Sequence, residues 1–220
     1  MFSGATYSLW SVSRPTMAKF CRGSTLDAGS GRGAWRLAIL ETATEYESLD
    51  VALRAHDAPT WIGDVTDMSD VPDGRYDTIV CHQVLEHVRN PARAMREFHR
   101  TLRAEGTLIL SVPHLSRRHE LPHDYFRFTQ EGIAALSEDA GLEIEEIHTY
   151  GGILSFIHHQ TSFIFPGLLL GIPLVEGLGL IVNAPFSWLL PALDRLIDRG
   201  ELMPLGLVAV CRRPSTGDDE

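Results

Sequence analysis

Cysteine is scarce in this 220-residue chain: Cys21, Cys81 and Cys211 stand far apart, with no CxxC spacing. That excludes a disulfide framework and a cysteine zinc motif, and it points to a reducing, cytoplasmic setting. Positive charge is also short. Nineteen Lys and Arg face 29 Asp and Glu, a formal charge of −10, and the best basic cluster is only the pair Arg117-Arg118. No basic stripe offsets that charge, so nucleic acid is excluded as the main partner. The N-terminus, MFSGATYSLWSVSRPTMAKF, has no continuous apolar core of signal-peptide length, and secretion is not expected. Internal repeats and low-complexity stretches are lacking as well. What is left, 44% hydrophobic and 22% charged residues, is ordinary for a globular chain able to bury a sizeable core.

The most informative stretch that is present is Thr25–Gly33, TLDAGSGRG. Leu26 ends a buried strand, Asp27 sits at its tip, and Gly29, Gly31 and Gly33 turn the chain into a helix over Ala34–Thr42. Such a turn offers backbone N–H groups to a ligand, and the missing Cβ atoms let that ligand come close. We read it as a cofactor site.

Further strands are expected at Tyr46–Val51, which ends close to Asp50, and at Trp61–Asp64, which ends in Asp64. Three more runs, Thr78–His82, Thr107–Val112 and Leu142–His148, read as strands, and Leu205–Cys211 as the last. Asn90-Pro91 starts a helix over Ala92–Leu102, and Thr129 caps another over Gln130–Ala140 that Gly141 ends. Strands alternating with helices in this way predict a doubly wound α/β sheet. Asp27, Asp50 and Asp64 would stand at the ends of successive strands, where such folds bind ligands.

Two cofactors fit the glycine turn. Gly29-x-Gly31-x-x-Ala34 formally satisfies the dinucleotide fingerprint of a dehydrogenase, which on its own is a weak signal. Asp27, two residues before the first glycine, would repel a pyrophosphate. A donor with a sulfonium and an ammonium group and no phosphate would welcome it. LDAGSGRG, the acid of YESLDV, the GD of WIGDVTD, YDTIVCHQVLEHV, AMREFHRTL with EGTLILSVP, and HDYFRFT follow one another in order. On these motifs the chain resembles the class I S-adenosylmethionine-dependent methyltransferases, of the broad type 11 group, over residues 23–152 and again at the last strand.

That resemblance implies a Rossmann-like seven-stranded sheet of order 3-2-1-4-5-7-6 with its last strand antiparallel. It implies S-adenosylmethionine as cofactor, with Asp27, Gly29 and Gly31 lining the methionine part and Ser30 and Gly33 shaping the turn. Asp50 would hold the ribose hydroxyls, Val51 would pack on adenine, and Asp64 with the Val65 N–H would meet the adenine amino group. His82 and Gln83 would face the methyl-donor centre. Small-RNA and ubiquinone-pathway relatives bind a divalent metal through Glu-x-x-Glu-His. Here the pattern is Gln83-x-x-Glu86-His87, one anionic ligand short, and no metal site is expected.

The loop Pro113–Phe128 holds His114, His119, His123, Asp124 and Tyr125. An oxygen acceptor near neutral pH needs a base, and His123, next to Asp124, is the candidate; the competing reading is that Tyr125, Phe126 and Phe128 only pack the loop. Between Gly151 and Leu193 the only Asp, Glu, Lys or Arg is Glu176, yet prolines and glycines cut the run into pieces shorter than the ~20 residues that span a bilayer. The expected layout is therefore one methyltransferase domain over 1–220. It has an arm at 1–23, a hydrophobic insertion at 151–202 and a flexible tail at 214–220. The insertion reads as a cap on the site, a homodimer surface, or a peripheral contact with the inner face of a membrane. The expected activity is methyl transfer, through oxygen, to a small or lipid-linked hydrophobic acceptor. The different-class alternative is a non-catalytic module that binds S-adenosylmethionine and a membrane or partner.

Overall fold

The computed structural model describes residues 4–52, 58–162, 185–186, 188–197 and 202–215. Its strands are β1 (Gly23–Ala28), β2 (Ala43–Asp50), β3 (Trp61–Ile62), β4 (Tyr76–His82), β5 (Leu102–Pro113), β6 (Glu143–Tyr150) and β7 (Gly206–Arg212). The helices are α1 (Gly4–Phe20), α2 (Arg36–Leu40), α3 (Pro91–Thr101), α4 (Gln130–Asp139) and α5 (Ile153–Thr161). The strands form one sheet in the order β3-β2-β1-β4-β5-β7-β6. β1 to β5 run parallel, and β7 lies antiparallel between β5 and β6. The expected order and the antiparallel last strand are both met.

The central strands are apolar throughout because each face of the sheet is covered. Ile79 and Cys81 of β4, Leu108 and Leu110 of β5, and Leu207 and Ala209 of β7 pack on one side with Met95 and Phe98 of α3 and Ile133 of α4. The residues between them, Val80, Ile109 and Val208, pack on the other side with Leu9 and Met17 of α1 and Ile39 of α2. Period-two alternation thus feeds two cores at once. Local signals behave as read: the Asn90 side chain accepts from Arg93 N at 3.1 Å, and the Thr129 hydroxyl accepts from Gly132 N at 3.0 Å. Asp77 is structural, its carboxylate accepting from Ser24 N at 2.8 Å and from Arg103 at 2.6 Å.

Boundaries moved where turn and strand compete. α2 is five residues rather than nine, because Gly31–Trp35 is spent in turns, and β2 starts at Ala43 rather than Tyr46. The N-terminal arm is a regular helix packed on the sheet. Of the insertion, α5 and the helical residues 188–197 fall within the described part; 163–184 and most of the 214–220 tail lie outside it. The two pieces meet at Asp194, 1% exposed, whose carboxylate oxygens accept from Leu154 N and Ser155 N at 2.8 Å each. Among the described residues, no helix is long and apolar enough to cross a membrane.

Candidate functional site

A cavity of about 590 Å³ opens along the carboxyl ends of β1, β2 and β4. Its walls are Gly29–Gly31 after β1, Asp50 and Val51 after β2, Gly63–Val65 after β3, and His82–Val84 at the tip of β4. Across from them stand His87, Glu120 and His123. Ten of the twelve residues singled out by sequence are gathered there. Glycine is required at 29: its φ is +74°, and a Cβ would lie 2.4 Å from the Val84 side chain.

The amides of the turn are already engaged. Gly29 N and Ser30 N donate to Leu49 O at 2.8 and 3.1 Å, Gly33 N donates to Ser30 O at 2.8 Å, and Gly31 N donates to Asp50 Oδ2 at 2.7 Å. A pyrophosphate needs such amides free and would meet the Asp50 carboxylate instead. The dinucleotide reading therefore loses its physical basis here. Asp50 is set in place by two amides, the second being Ala52 N on Oδ1 at 3.2 Å. Asp64 Oδ1 accepts from Thr66 N and Thr66 Oγ1, both at 2.8 Å. Val51 stays exposed on the cavity wall.

Asp27 and Gly33 are the two expected residues that the cavity wall omits. The Asp27 carboxyl is buried and accepts a 2.9 Å hydrogen bond from Tyr46 of β2. Burial pushes its pKa up to about 7, against the lowering effect of Tyr46 and with a smaller push from Asp50. Gly33 lines a separate hollow of about 170 Å³ behind the turn. Sequence reasoning placed Asp27 at the strand tip but had no means of telling which side of β1 its carboxyl would take.

His82 is 6% exposed, and neither ring nitrogen has a hydrogen-bond partner among the described residues. Desolvation holds its pKa down to about 3, so the ring is neutral. It is tilted against Trp35 at 4.3 Å, and Trp35 stacks on Trp10 of α1 at 4.4 Å. Gln83 takes a left-handed backbone, φ +55°, fixed by its N–H donating to Ser111 O at 2.9 Å. Backbone strain of that kind persists where the surroundings over-determine it.

His123 is exposed on the cavity wall, with Nδ1 3.0 Å from Tyr125 Oη. Its expected partner Asp124 is engaged elsewhere. That carboxylate accepts from Arg127 at 2.6 and 2.9 Å and from His119 N at 2.9 Å, and the Arg127 hydrogen bonds hold its pKa at about 2. His114 Nδ1 pairs with Phe128 O at 2.8 Å and takes no place in the wall. The aromatic packing expected of the loop is present too, with Phe126 and Phe128 rings 5.9 Å apart.

One grouping escaped the sequence. Glu86, fully buried, has no hydrogen-bond partner for either carboxylate oxygen among the described residues, while His119 Nε2 and His87 Nε2 lie 3.6 and 3.8 Å from Oε1. The His119 pKa is raised, chiefly by Glu86. His87 Nδ1 faces His123 O at 2.6 Å and His119 Nδ1 faces Arg117 O at 3.2 Å. The Gln83-x-x-Glu86-His87 spacing contains no trace of His119, which a loop brings in. Glu120, which the sequence reading did not weigh, has its carboxylate 4.0 Å from His87 Nε2.

The model of a methyltransferase domain matches residues 13–147, more than half of the chain. A ubiquinone biosynthesis O-methyltransferase of Pseudomonas paraeruginosa is 24% identical over 153 residues, 56% of this chain and 66% of the relative. The chain thus spans just under two thirds of that relative's length. Among solved structures, an S-adenosylmethionine-dependent methyltransferase from Mesorhizobium loti superposes with a TM-score of 0.57 at 17% identity, covering 94% of this chain and 98% of that one. The 1,6-didemethyltoxoflavin-N1-methyltransferase of Burkholderia thailandensis, solved with bound 1,6-didemethyltoxoflavin and S-adenosylhomocysteine, gives 0.57 at 15% identity, covering 95% and 82%. The sheet order and the domain match converge: the chain belongs to the methyltransferase-domain family, and its fold is that of the S-adenosylmethionine-dependent methyltransferase it superposes on.

Proposed function

We propose that the chain methylates an oxygen of a small hydrophobic or lipid-linked acceptor, with His123 as the base. The observation that carries this reading is that one cavity joins Asp50 and Asp64 on one side to His123 on the other. Asp50 would hold the ribose hydroxyls of the donor, Asp64 would accept from its adenine amino group, and Val51 would cover the adenine face. The acceptor enters between Gln83 and the loop Pro113–Phe128. A bound donor would supply the methyl group and be left as a neutral thioether, while a ring nitrogen of His123 would take the proton of the acceptor hydroxyl. The similarity to ubiquinone biosynthesis O-methyltransferases supports an oxygen acceptor. The apolar insertion supports a membrane-facing or self-associating cap. Release of S-adenosylhomocysteine over a panel of phenols, catechols and lipid-linked alcohols tests the reading. His123→Ala is expected to slow turnover about 100-fold or more without changing donor affinity; full turnover by that variant would remove the base.

A second reading is favoured by Glu86. A fully buried carboxylate without hydrogen bonds is costly unless a cation completes it, and its two neighbouring imidazoles each have Nδ1 against a backbone carbonyl. With Nδ1 donating, both Nε2 lone pairs are left for a divalent ion alongside Glu86. Glu86, His87 and His119 would hold such an ion, and its positive charge would ease deprotonation of an acceptor hydroxyl. Calorimetric titration with Zn²⁺, Mn²⁺ and Mg²⁺ is expected to show one site, lost in Glu86→Gln. Absence of binding by the wild type would dismiss the ion and leave His123 as the sole device.

A further inference from the structure

The loop Pro113–Phe128 is met by the insertion's first helix and again by the residues that follow the insertion. His114 N donates to Leu205 O at 2.8 Å and Leu115 N to Pro204 O at 3.2 Å, carrying the β5–β7 pairing two residues past Pro113. Gln160 of α5 donates to Leu115 O at 3.4 Å. From Ser116 onward side chains take over. The peptide unit between Ser116 and Arg117 is gripped at both poles. Its carbonyl accepts from Arg127 Nε at 3.0 Å, and its N–H points to His159 Nε2 of α5 at 3.5 Å. Ser116 Oγ lies 3.2 Å from the same ring nitrogen. A backbone N–H can only donate, so this Nε2 carries a lone pair and the ring proton sits on Nδ1. Burial, with Arg117 nearby, pushes the His159 pKa down to about 4, which keeps that lone pair at neutral pH.

We propose that His159 is a positioning residue, through which the insertion holds the acceptor side of the cavity. The proposal rests on reading this loop as the acceptor side. Arg127 grips Asp124 and the carbonyls of Ser116 and Arg117, all within the loop, and so closes the loop on itself. The later half is tied down at Glu86, whose carbonyl accepts from Tyr125 N at 2.8 Å. The earlier half is tied by His159 to α5, whose Phe156 packs against the core under α1. The next carbonyl along, Arg117 O, accepts from Arg127 at 2.6 Å and lies 3.2 Å from His119 Nδ1. The peptide plane that His159 fixes therefore sets the stance of the His119 ring, 3.6 Å from Glu86. The insertion is on this account a mount for the loop.

Hydrogen exchange of the full chain, read by peptide mass spectrometry, tests the mount. His159→Leu is expected to speed exchange over residues 116–119 by about three- to tenfold, the range of one net hydrogen bond. It is also expected to lower kcat over the acceptor panel, while S-adenosylhomocysteine affinity by calorimetry and exchange within α5 stay at wild-type values. His159→Gln brings a carboxamide oxygen near the Nε2 position and is expected to restore both readouts; His159→Asn, one carbon shorter, is not. Ser116→Ala probes the same joint from the loop side and is expected to loosen the same residues, which keeps the test open should His159→Leu fail to fold. Wild-type exchange over 116–119 in both variants overturns the proposal. So does faster exchange spread through α5, which marks a merely structural role. Wild type that turns over nothing in the panel overturns the acceptor-side reading, and the exchange pattern still decides whether His159 holds the loop.

Discussion

Asp27 is 2% exposed at the end of a central strand, where its carboxyl accepts a hydrogen bond from the Tyr46 hydroxyl. An acid whose folded pKa lies above its unfolded value binds extra protons in the fold between the two. Stability contributed by this group therefore falls as pH rises from about 4 to about 7. Asp27→Asn keeps an acceptor for Tyr46 and removes the titration. Urea midpoints at pH 4 and pH 8 are expected to shift in favour of the variant at the higher pH, by up to about 4 kcal/mol. Parallel midpoints at both values would show that burial does not perturb the group. The same residue shows where sequence reasoning reaches its limit. Asp50, Asp64 and His82 could be placed on the cavity wall from sequence because strand-end positions are set by pattern and the cavity forms at strand ends, whereas His123 reaches the wall from the loop after β5. The direction of the Asp27 carboxyl depends on Tyr46, 19 residues away on a neighbouring strand, and no local signal encodes it.

Among the elements, strands and long helices were legible and their edges less so. The apolar β-branched runs declare β4 and β5, while the glycine turn takes residues that helical spacing had assigned to α2. The Glu86–His87–His119 grouping was invisible because the loop Pro113–Phe128 is held by Arg127, which ties Asp124 to the carbonyls of Ser116 and Arg117. The insertion follows another tertiary rule. Asp194 caps α5 from 39 and 40 residues away, filling the place that a local N-cap side chain would take, since Gly152 precedes the helix. Asp194→Ala leaves the buried Ser155 amide and the part-buried Leu154 amide without their acceptor and is expected to cost about 1–3 kcal/mol in thermal or urea unfolding. Gly152→Ala is expected to act in the same direction, because its methyl would lie 2.6 Å from Asp194 Cγ. An unchanged midpoint in both variants would mean that the helix over 188–197 does not dock on α5.

For the molecule as a whole, charge and apolar surface point in different directions. The chain carries a formal charge of −10, yet Trp188, Leu189, Leu196 and Ile197 are all more than half exposed. If the insertion meets a bilayer, as proposed, attraction to anionic headgroups is not the force. Co-sedimentation is expected with neutral phosphatidylcholine vesicles, to persist in high salt, and to be lost in a Trp188→Ser, Leu189→Ser double variant. Binding confined to anionic vesicles would refute an apolar mode, and a concentration-dependent dimer without vesicle binding would assign the surface to self-association. The antiparallel β7 has one more consequence, which concerns the order of synthesis. A ribosome makes β5 and β6 well before residue 206, so each emerges with an edge that only β7 will fill. The apolar stretch 151–202 emerges while both edges are open. Unpaired edges beside unburied hydrophobic surface are the conditions for misassembly. Closure of this sheet thus waits for Gly206–Arg212, the last strand made, to slide between its two neighbours.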